Sequence, residues 1–345
     1  MRIQENVPLA PRTTLEVGGA ARYYVEAATL EELREALGFA VARGLPWFVL
    51  GGGSNLVVAD AGFPGLAINI GLRGIQQRRE SGKELFTVAA GENWDAFVAQ
   101  AVAAHCAGIE CLSGIPGTAG ATPVQNVGAY GQEVADTIVE VQALDITSGA
   151  ARLLSKAECE FGYRTSRFNS TALEKYVILG VTFALQPGGA PRLEYAELKK
   201  AFAAQPAPTL AQVREAVRIM RAAKAMLLVA GDEDCRSAGS FFKNPVLSPE
   251  RFAQLATRVP AHELPHWPAI NDEIKVAAAW LVEHAGFPKG YSRGAVGISR
   301  KHALAIVNRG GARAAEIVAL KNDIQAAVRE RFGADLHPEP VFLGF

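Results

Sequence analysis

The chain has 345 residues, 49% of them apolar and 20% charged, with 35 basic and 35 acidic side chains. A single hydrophobic core stops growing near ~250–300 residues, so this length predicts two or three domains. Balanced charge excludes a chain-wide basic field for nucleic acid or anionic lipid, and the lack of any run of ~18 apolar residues excludes a helical membrane span.

The first residues, MRIQENVPLAPRTT, carry no apolar leader, so an unexported, cytoplasmic protein is expected. Thr29 followed by Glu32 is a capping box ahead of LEELREALGFAVARG, where Leu30, Leu33, Leu37 and Val41 recur at helical spacing up to Gly44. PWFVL then predicts a buried strand, GGGSN a tight loop and LVVAD a second strand. The glycine loop therefore joins two strands. A Rossmann or Walker loop opens a helix instead, and the Lys-Ser/Thr pair of a Walker loop is missing.

From about Leu66, LAINI and LFTVAAG predict short strands and NWDAFVAQAVAAH a helix. The segment that follows, SGIPGTAGATPVQNVGAYGQE, has little periodicity, five glycines, two prolines and no charge before Glu133. That composition suits an ordered backbone wrapped closely around a ligand. TIVEVQALDI and YVILGVTFALQP predict strands, with a turn at TSGA before LL, so the middle third is α+β. Beyond AAQPAPT, the stretch TLAQVREAVRIMRAAKA puts Leu210, Val213, Val217 and Met220 on one helix face and opens another domain near 205–212. The last third is expected to hold helices at EIKVAAAWLVEHAG and ARAAEIVALKNDIQAAVRERFG and a terminal strand at PVFLGF, an α/β or α+β arrangement.

Cys106, Cys111, Cys159 and Cys235 form no C-x-x-C pair and the 6 histidines show no metal-ligand spacing, so reduced thiols and no metal site are expected. GGGSN offers successive backbone amides with no side chains in the way, the arrangement of an anion nest. By itself it is equally well a tight turn. The second glycine segment is far longer than a turn needs and carries hydroxyl and amide groups, so the pair suggests a large dinucleotide ligand.

GGGSNLVV, SGIPGTAGATPVQNVGAYG, FGYRTSRF, RSAGSFFKNP and LHPEPVFLG occur in the order found in the UDP-N-acetylenolpyruvoylglucosamine reductase family, and the chain resembles that family from about Thr13 to its C-terminus. The resemblance implies an α+β, multi-domain flavoprotein with a vanillyl-alcohol-oxidase-like (PCMH-type) FAD-binding region and a C-terminal α/β substrate domain. Its implied divisions are residues 1–68 with 330–345 as one FAD-binding subdomain, 69–206 as the second, and 207–329 as the substrate domain. FAD, held without a covalent bond, is reduced by NADPH, which leaves and is replaced in the same pocket by UDP-N-acetylglucosamine enolpyruvate. The product is UDP-N-acetylmuramate, a cytoplasmic precursor of peptidoglycan. A monomer with no nucleic-acid or membrane partner is expected. An FAD-dependent alcohol or hydroxy-acid oxidase or dehydrogenase of the same flavin-binding superfamily is the alternative enzyme, and a nucleotide-sugar-binding or regulatory protein without redox activity is a third reading.

Carried onto this chain, the family's FAD contacts fall on Gly51, Gly52, Gly53, Ser54, Asn55 and Leu56 in the first glycine loop. In the second segment they fall on Gly114, Ile115, Pro116, Gly117, Gly120 and Ala121, then on Gln125, Asn126, Gly128, Ala129 and Tyr130. In the implied reaction a hydride from flavin N5 adds to the terminal carbon of a vinyl ether, leaving negative charge on the adjacent carbon and its carboxylate. Arg164 resembles the arginine that contacts that carboxylate, with Arg167 its near rival; a guanidinium grips such a group through two parallel hydrogen bonds.

Ser240 matches the family's proton donor to the carbanionic carbon. A hydroxyl is a weak acid, but an enolate is basic enough to take its proton. Glu339, stiffened by Pro338 and Pro340, is implied to act with Arg164 in polarising the enolpyruvyl group, through a raised pKa in an enclosed site. Tyr195 resembles the tyrosine whose mobile loop covers the substrate in one subclass of the family. Tyr163, Lys224 and Asn244 match positions around the sugar nucleotide, with Lys224 suited to the diphosphate. Stripped of their flanking motifs, these residues would read as a surface ion pair at Arg164, a turn hydroxyl at Ser240 and an extended tail at Glu339. The stretch 225–239 departs from the shorter proline-rich linker of some members, and Thr118 stands where some carry cysteine.

Overall fold

After β1 (Gln4–Pro8) and β2 (Ala20–Ala27) the chain enters α1 (Leu30–Ala42), in a computed structural model that describes residues 1–205, 207–259 and 262–345. The Thr29 hydroxyl accepts from Glu32 N–H at 3.1 Å. The Glu32 carboxylate reaches past Thr29 to Ala28 N–H at 2.8 Å, so the predicted capping box closes one residue early. Leu33, Ala36, Leu37 and Ala40 face the core. β3 (Trp47–Leu50) and β4 (Leu56–Val58) enclose GGGSN, and β5 (Phe63–Ile70) runs parallel to β3 in a sheet ordered β1-β2-β5-β3.

β6 (Ile75–Glu80) pairs antiparallel with β7 (Lys83–Ala89). Its IQQRRE is too polar to announce a strand, because it lies at the sheet edge with five of its six residues exposed. Asn93 caps α2 (Trp94–Ala103), accepting from Ala96 N–H at 2.9 Å, and β8 (Cys106–Ala107) follows. The long glycine segment holds only one 3₁₀ turn, Ala119–Ala121, and the two-residue strands β9 (Gly128–Ala129) and β10 (Gln132–Glu133). β11 (Ile138–Asp145), β12 (Ala151–Ser155) and β13 (Tyr176–Pro187) complete an antiparallel sheet in the order β12-β11-β13-β7-β6, with β8 pairing on β13. α3 (Ala196–Ala201) and α4 (Leu210–Ala223) follow.

Apart from β4, these elements form one compact unit, made of Met1–Val7, Ala21–Gly52 and Pro64–Leu227. Its core sets Trp94, Phe97, Phe86 and Phe183 ring against ring at 5.3–5.8 Å, so the buried face of α2 lies on the β7-β13 pair. A second cluster, of Leu198 from α3, Val213 and Val217 from α4, Cys111 and Tyr130, binds both helices to the glycine segment. Residues 207–227, assigned from sequence to the substrate domain, therefore pack within this unit. Pro206, at that boundary, lies outside the described residues.

The other unit comprises Pro8–Ala20, Gly53–Phe63 and Leu228–Phe345. Beyond β14 (Val246–Leu247), α5 (Pro249–Ala256), β15 (His266–Pro268) and β16 (Ile274–Val276), the helix α6 (Ala278–His284) is shorter than expected. The stretch EIKV, taken from sequence as its first turn, is strand β16 between β14 and β15, because pairing with both neighbours outweighs helical propensity. β17 (Ser292–Arg293), β18 (Val296–Ile298) and β19 (Ile306–Asn308) form a second small sheet, followed by α7 (Ala314–Phe332) and β20 (Val341–Leu343). β20 runs parallel to β4, so the C-terminus closes onto the strand that leaves the first glycine loop. Ile317, Leu320, Ile324, Val328 and Phe332 of α7 share a core with Phe241, Phe242, Val57 and Leu15. The Asp60 carboxylate accepts from Ala314 and Ala315 N–H at 2.8 and 3.1 Å, capping α7 from outside the helix.

Candidate active site

The two glycine segments approach backbone to backbone at Gly52 and Gly117. A Cβ on Gly52 would stand 2.5 Å from Gly117 Cα, and one on Gly53 would stand 1.9 Å from the Arg12 carbonyl oxygen at a φ of 64°. Only glycine permits this approach. Thr14 N–H donates to Gly53 O at 3.1 Å and fixes the loop against the N-terminal segment. An uncharged, side-chain-free turn of this kind fits the pyrophosphate of a dinucleotide.

The far end of the second segment is pinned by Asn126, 1% exposed and at a φ of 43°. Its amide donates to Glu133 at 2.8 Å and to Gly162 O at 3.0 Å, and its oxygen accepts from Ala135 N–H at 3.1 Å. Ser166 Oγ donates to Val124 O at 2.7 Å. Both bonds tie the FGYRTSRF hairpin to the glycine segment. Gly162 and Thr165 bridge across the hairpin, leaving Tyr163 and Arg164 at its tip, Arg164 at a φ of 54°. The Arg164 guanidinium lies 5.5 Å from the Tyr163 ring centroid and donates to Gly128 O at 2.7 Å. Holding a non-glycine residue in the left-handed region takes support from its surroundings, and these contacts supply it.

Tyr130, Tyr195 and Lys224 are brought together. The tyrosine rings meet edge to face at 5.3 Å, and Lys224 Nζ stands 5.6 Å from the Tyr130 centroid. Burial pushes the Tyr130 hydroxyl up to about 12 and raises that of Tyr195, so both remain protonated donors at neutral pH. Lys224 forms a two-pronged ion pair with Glu197, at 2.7 Å to each carboxylate oxygen.

In the other unit the residues that follow Ser240 pair with the segment that carries Glu339. Lys243 N–H donates to His337 O, Phe242 bridges Pro338, and Glu339 N–H donates to Phe241 O at 2.9 Å. The other side of Glu339 is held by Asn55, whose amide donates to the Glu339 carbonyl at 3.1 Å and whose own carbonyl accepts from Val341 N–H. The residue predicted to carry the polarising carboxylate is thus fixed between the Phe241 backbone and Asn55 of the first glycine loop. Gly239, at a φ of 73°, turns the chain into Ser240. Asn244 Oδ1 accepts from Ala278 N–H at 3.0 Å and caps α6. A cleft of about 400 Å³ in this unit is lined by Thr13, Thr14, Glu16, residues 228–233, Cys235 and Arg236, and includes none of the predicted catalytic residues.

Sequence reasoning missed the charged group under the second glycine segment. The Asp95 carboxylate accepts from Gly114 N–H at 2.6 Å, from both guanidinium ends of Arg214 at 2.6 and 3.0 Å, and from Arg218 at 2.6 Å. Burial alone would raise this carboxyl; the bonds from Arg214 and Gly114 and the two positive charges outweigh it and hold it low. Burial draws Arg221, the next arginine on the helix, down to about 10, and its Nε has no hydrogen-bond partner. The spacing of Arg214, Arg218 and Arg221 on one face of α4 was the available signal. Glu110, 0% exposed, is satisfied by Gly108 and Arg192 N–H and the Gln132 amide, and Gln132 in turn accepts from Cys111 N–H. No cluster of three or more His, Cys, Asp or Glu suited to a metal occurs among the described residues, and no helix among them is long and apolar enough to cross a membrane.

Residues 21–154 match the model of an FAD-binding domain, and residues 231–343 match that of the UDP-N-acetylenolpyruvoylglucosamine reductase C-terminal domain. The chain is 45% identical to the UDP-N-acetylenolpyruvoylglucosamine reductase of Thermobifida fusca over 98% of this chain and 97% of that protein. To that of Streptomyces coelicolor it is 47% identical over 98% and 90%. The crystal structure of the Thermus caldophilus UDP-N-acetylenolpyruvylglucosamine reductase aligns over 99% of both chains with a TM-score of 0.68 at 26% identity. Full-length identity at this level, with the glycine segments, the arginine hairpin and the serine-glutamate ladder each in place, makes the chain a member of the UDP-N-acetylenolpyruvoylglucosamine reductase family.

Proposed function

We infer that the chain reduces UDP-N-acetylglucosamine enolpyruvate to UDP-N-acetylmuramate with NADPH through bound FAD, a step of peptidoglycan precursor synthesis. The observation that carries this is the identity of 45% across 98% of the chain to a reductase of that name, spanning both the FAD-binding and the C-terminal regions. FAD, once reduced by NADPH, supplies the hydride that adds to the terminal carbon of the vinyl ether.

The chain's own residues do the rest. The first glycine loop and the segment from Gly114 to Tyr130 would hold the cofactor. Arg164 grips the substrate carboxylate, and Glu339 polarises the enolpyruvyl group so that charge gathering on the carbon next to the ether oxygen is stabilised. Ser240 gives that carbon its proton, and one hydride with one proton completes the saturated lactyl ether. Tyr195 covers the substrate; Tyr163, Asn244 and Lys224 address the sugar nucleotide, Lys224 through the diphosphate. Asn244 keeps its amide nitrogen for that role, since its oxygen serves α6. The division into two FAD-binding subdomains and a substrate domain belongs to the same proposal, as does a monomeric enzyme in the cytoplasm, a setting suited to four buried free thiols.

The test is a spectrum of the purified protein followed by anaerobic titration. A yellow protein bleached by NADPH and recoloured by the enolpyruvyl sugar nucleotide is expected. A colourless protein that binds the sugar nucleotide would leave a binding protein, and recolouring by an alcohol or hydroxy acid instead would leave a different flavoenzyme.

A further inference from the structure

In the proposed reaction the substrate's diphosphate needs Lys224, yet Lys224 is already paired with both carboxylate oxygens of Glu197 at 2.7 Å. The pair is only partly exposed, at 31% for the lysine and 45% for the glutamate. Glu197 lies two residues after Tyr195 and in the first turn of α3, a helix anchored by fully buried Leu198 against Tyr130, Val213 and Val217. Lys224 is the C-cap of α4. One ion pair thus joins the end of α4 to the segment that carries Tyr195, while Tyr195 rests on Tyr130.

From this geometry we propose that Glu197 is a positioning residue that stands in for the substrate's diphosphate. Before substrate arrives it keeps Lys224 aimed over Tyr130 and holds the Tyr195 segment docked. When a nucleoside diphosphate binds, the phosphate oxygens take the lysine, and the carboxylate is released together with the start of α3. Recognition of the diphosphate and movement of the covering tyrosine become one event. A carboxylate and a phosphate compete for the same ammonium donors, so the pre-existing pair lowers affinity by whatever it contributes itself. A partly exposed pair contributes little, which keeps the exchange reversible.

The inference rests on Lys224 meeting the diphosphate, and its test separates the two. UDP is the probe, its dissociation constant read in the FAD-loaded protein from the flavin absorbance change. Glu197→Gln is expected to bind UDP about two- to fivefold more tightly than the unmodified chain and to lower KM for the sugar nucleotide more than it changes kcat. Glu197→Asp should restore weaker binding, and Lys224→Ala should bind UDP more weakly and abolish the difference between glutamate and glutamine at 197. Weaker or unchanged UDP binding in Glu197→Gln, with Lys224→Ala still impaired, overturns the role of Glu197 alone and makes it a structural clamp for α3. Unchanged UDP binding in Lys224→Ala overturns the placement of Lys224 and the inference with it.

Discussion

Ser240 stands in the chain as a weak acid beside a flexible glycine, and nothing in a serine hydroxyl alone makes it a proton donor. A backbone ladder sets the next residue, Phe241, against Glu339, through the bond from Glu339 N–H to Phe241 O. Replacing the serine tests protonation apart from hydride delivery: Ser240→Ala should let NADPH bleach the flavin at an undiminished rate yet slow recolouring by substrate by about 10²–10⁴-fold. Stopped-flow absorbance in the two half-reactions measures this, and slow bleaching in the variant would assign the serine to structure. The role proposed for Ser240 comes from the SFFKNP context. The backbone pairing of its segment with that of Glu339 was not legible there, because 98 residues lie between Ser240 and Glu339 and only long-range hydrogen bonds join the two segments.

Among the elements, α4 shows how one helix serves packing and chemistry together. Its apolar face, read from sequence, buries Val213 and Val217. Its adjacent face sends Arg214 and Arg218 to Asp95, which also holds Gly114 N–H and so ties the second glycine segment to the helix that ends at Lys224. Asp95→Asn removes a carboxylate and leaves two guanidinium groups without their counter-charge. A loss of about 1–3 kcal/mol at neutral pH is expected in denaturant unfolding. The Asp95 carboxyl titrates below its ordinary value in the folded chain. Its contribution is therefore complete above the unfolded carboxylate value near ~3.9 and fades as pH falls through the lower folded value, so the variant should show a shallower acid-side decline than the unmodified chain. An equal decline in both would mean that other carboxylates control acid unfolding. The sequence contained both ends of this network, but an acid at the second position of a helix has the commoner explanation of favourable alignment with the helix dipole. The polar strand β6 was invisible for a related reason: at an edge, burial no longer dictates the alternation of side chains.

For the molecule as a whole, the contact pattern assembles each unit from distant stretches, the second from Pro8–Ala20, Gly53–Phe63 and everything after Leu228. The first glycine loop lies where the chain passes from one unit to the other, between Gly52 and Gly53. FAD bound to the folded state alone adds to stability by mass action. Removing FAD should lower the melting temperature, and restoring it at a hundredfold excess over its dissociation constant should return about 2.7 kcal/mol. A melting temperature independent of FAD concentration would mean that the folded chain does not bind FAD.

Local order was readable in advance because it depends on neighbours in the chain. The α1 cap, the strand-loop-strand setting of GGGSN, the α2 and α7 helices and the terminal strand all follow from periodicity and from the residues that stop it. The motifs likewise carried the family, since five short segments in register are a property of the string itself. Only the tertiary structure decided that EIKV is a strand, that α4 packs under the second glycine segment, that Asn55 and Phe241 clamp Glu339, and that Lys224 already holds a carboxylate. Each of these depends on contacts between residues far apart in sequence, where burial and pairing outweigh the weak preferences of a single segment.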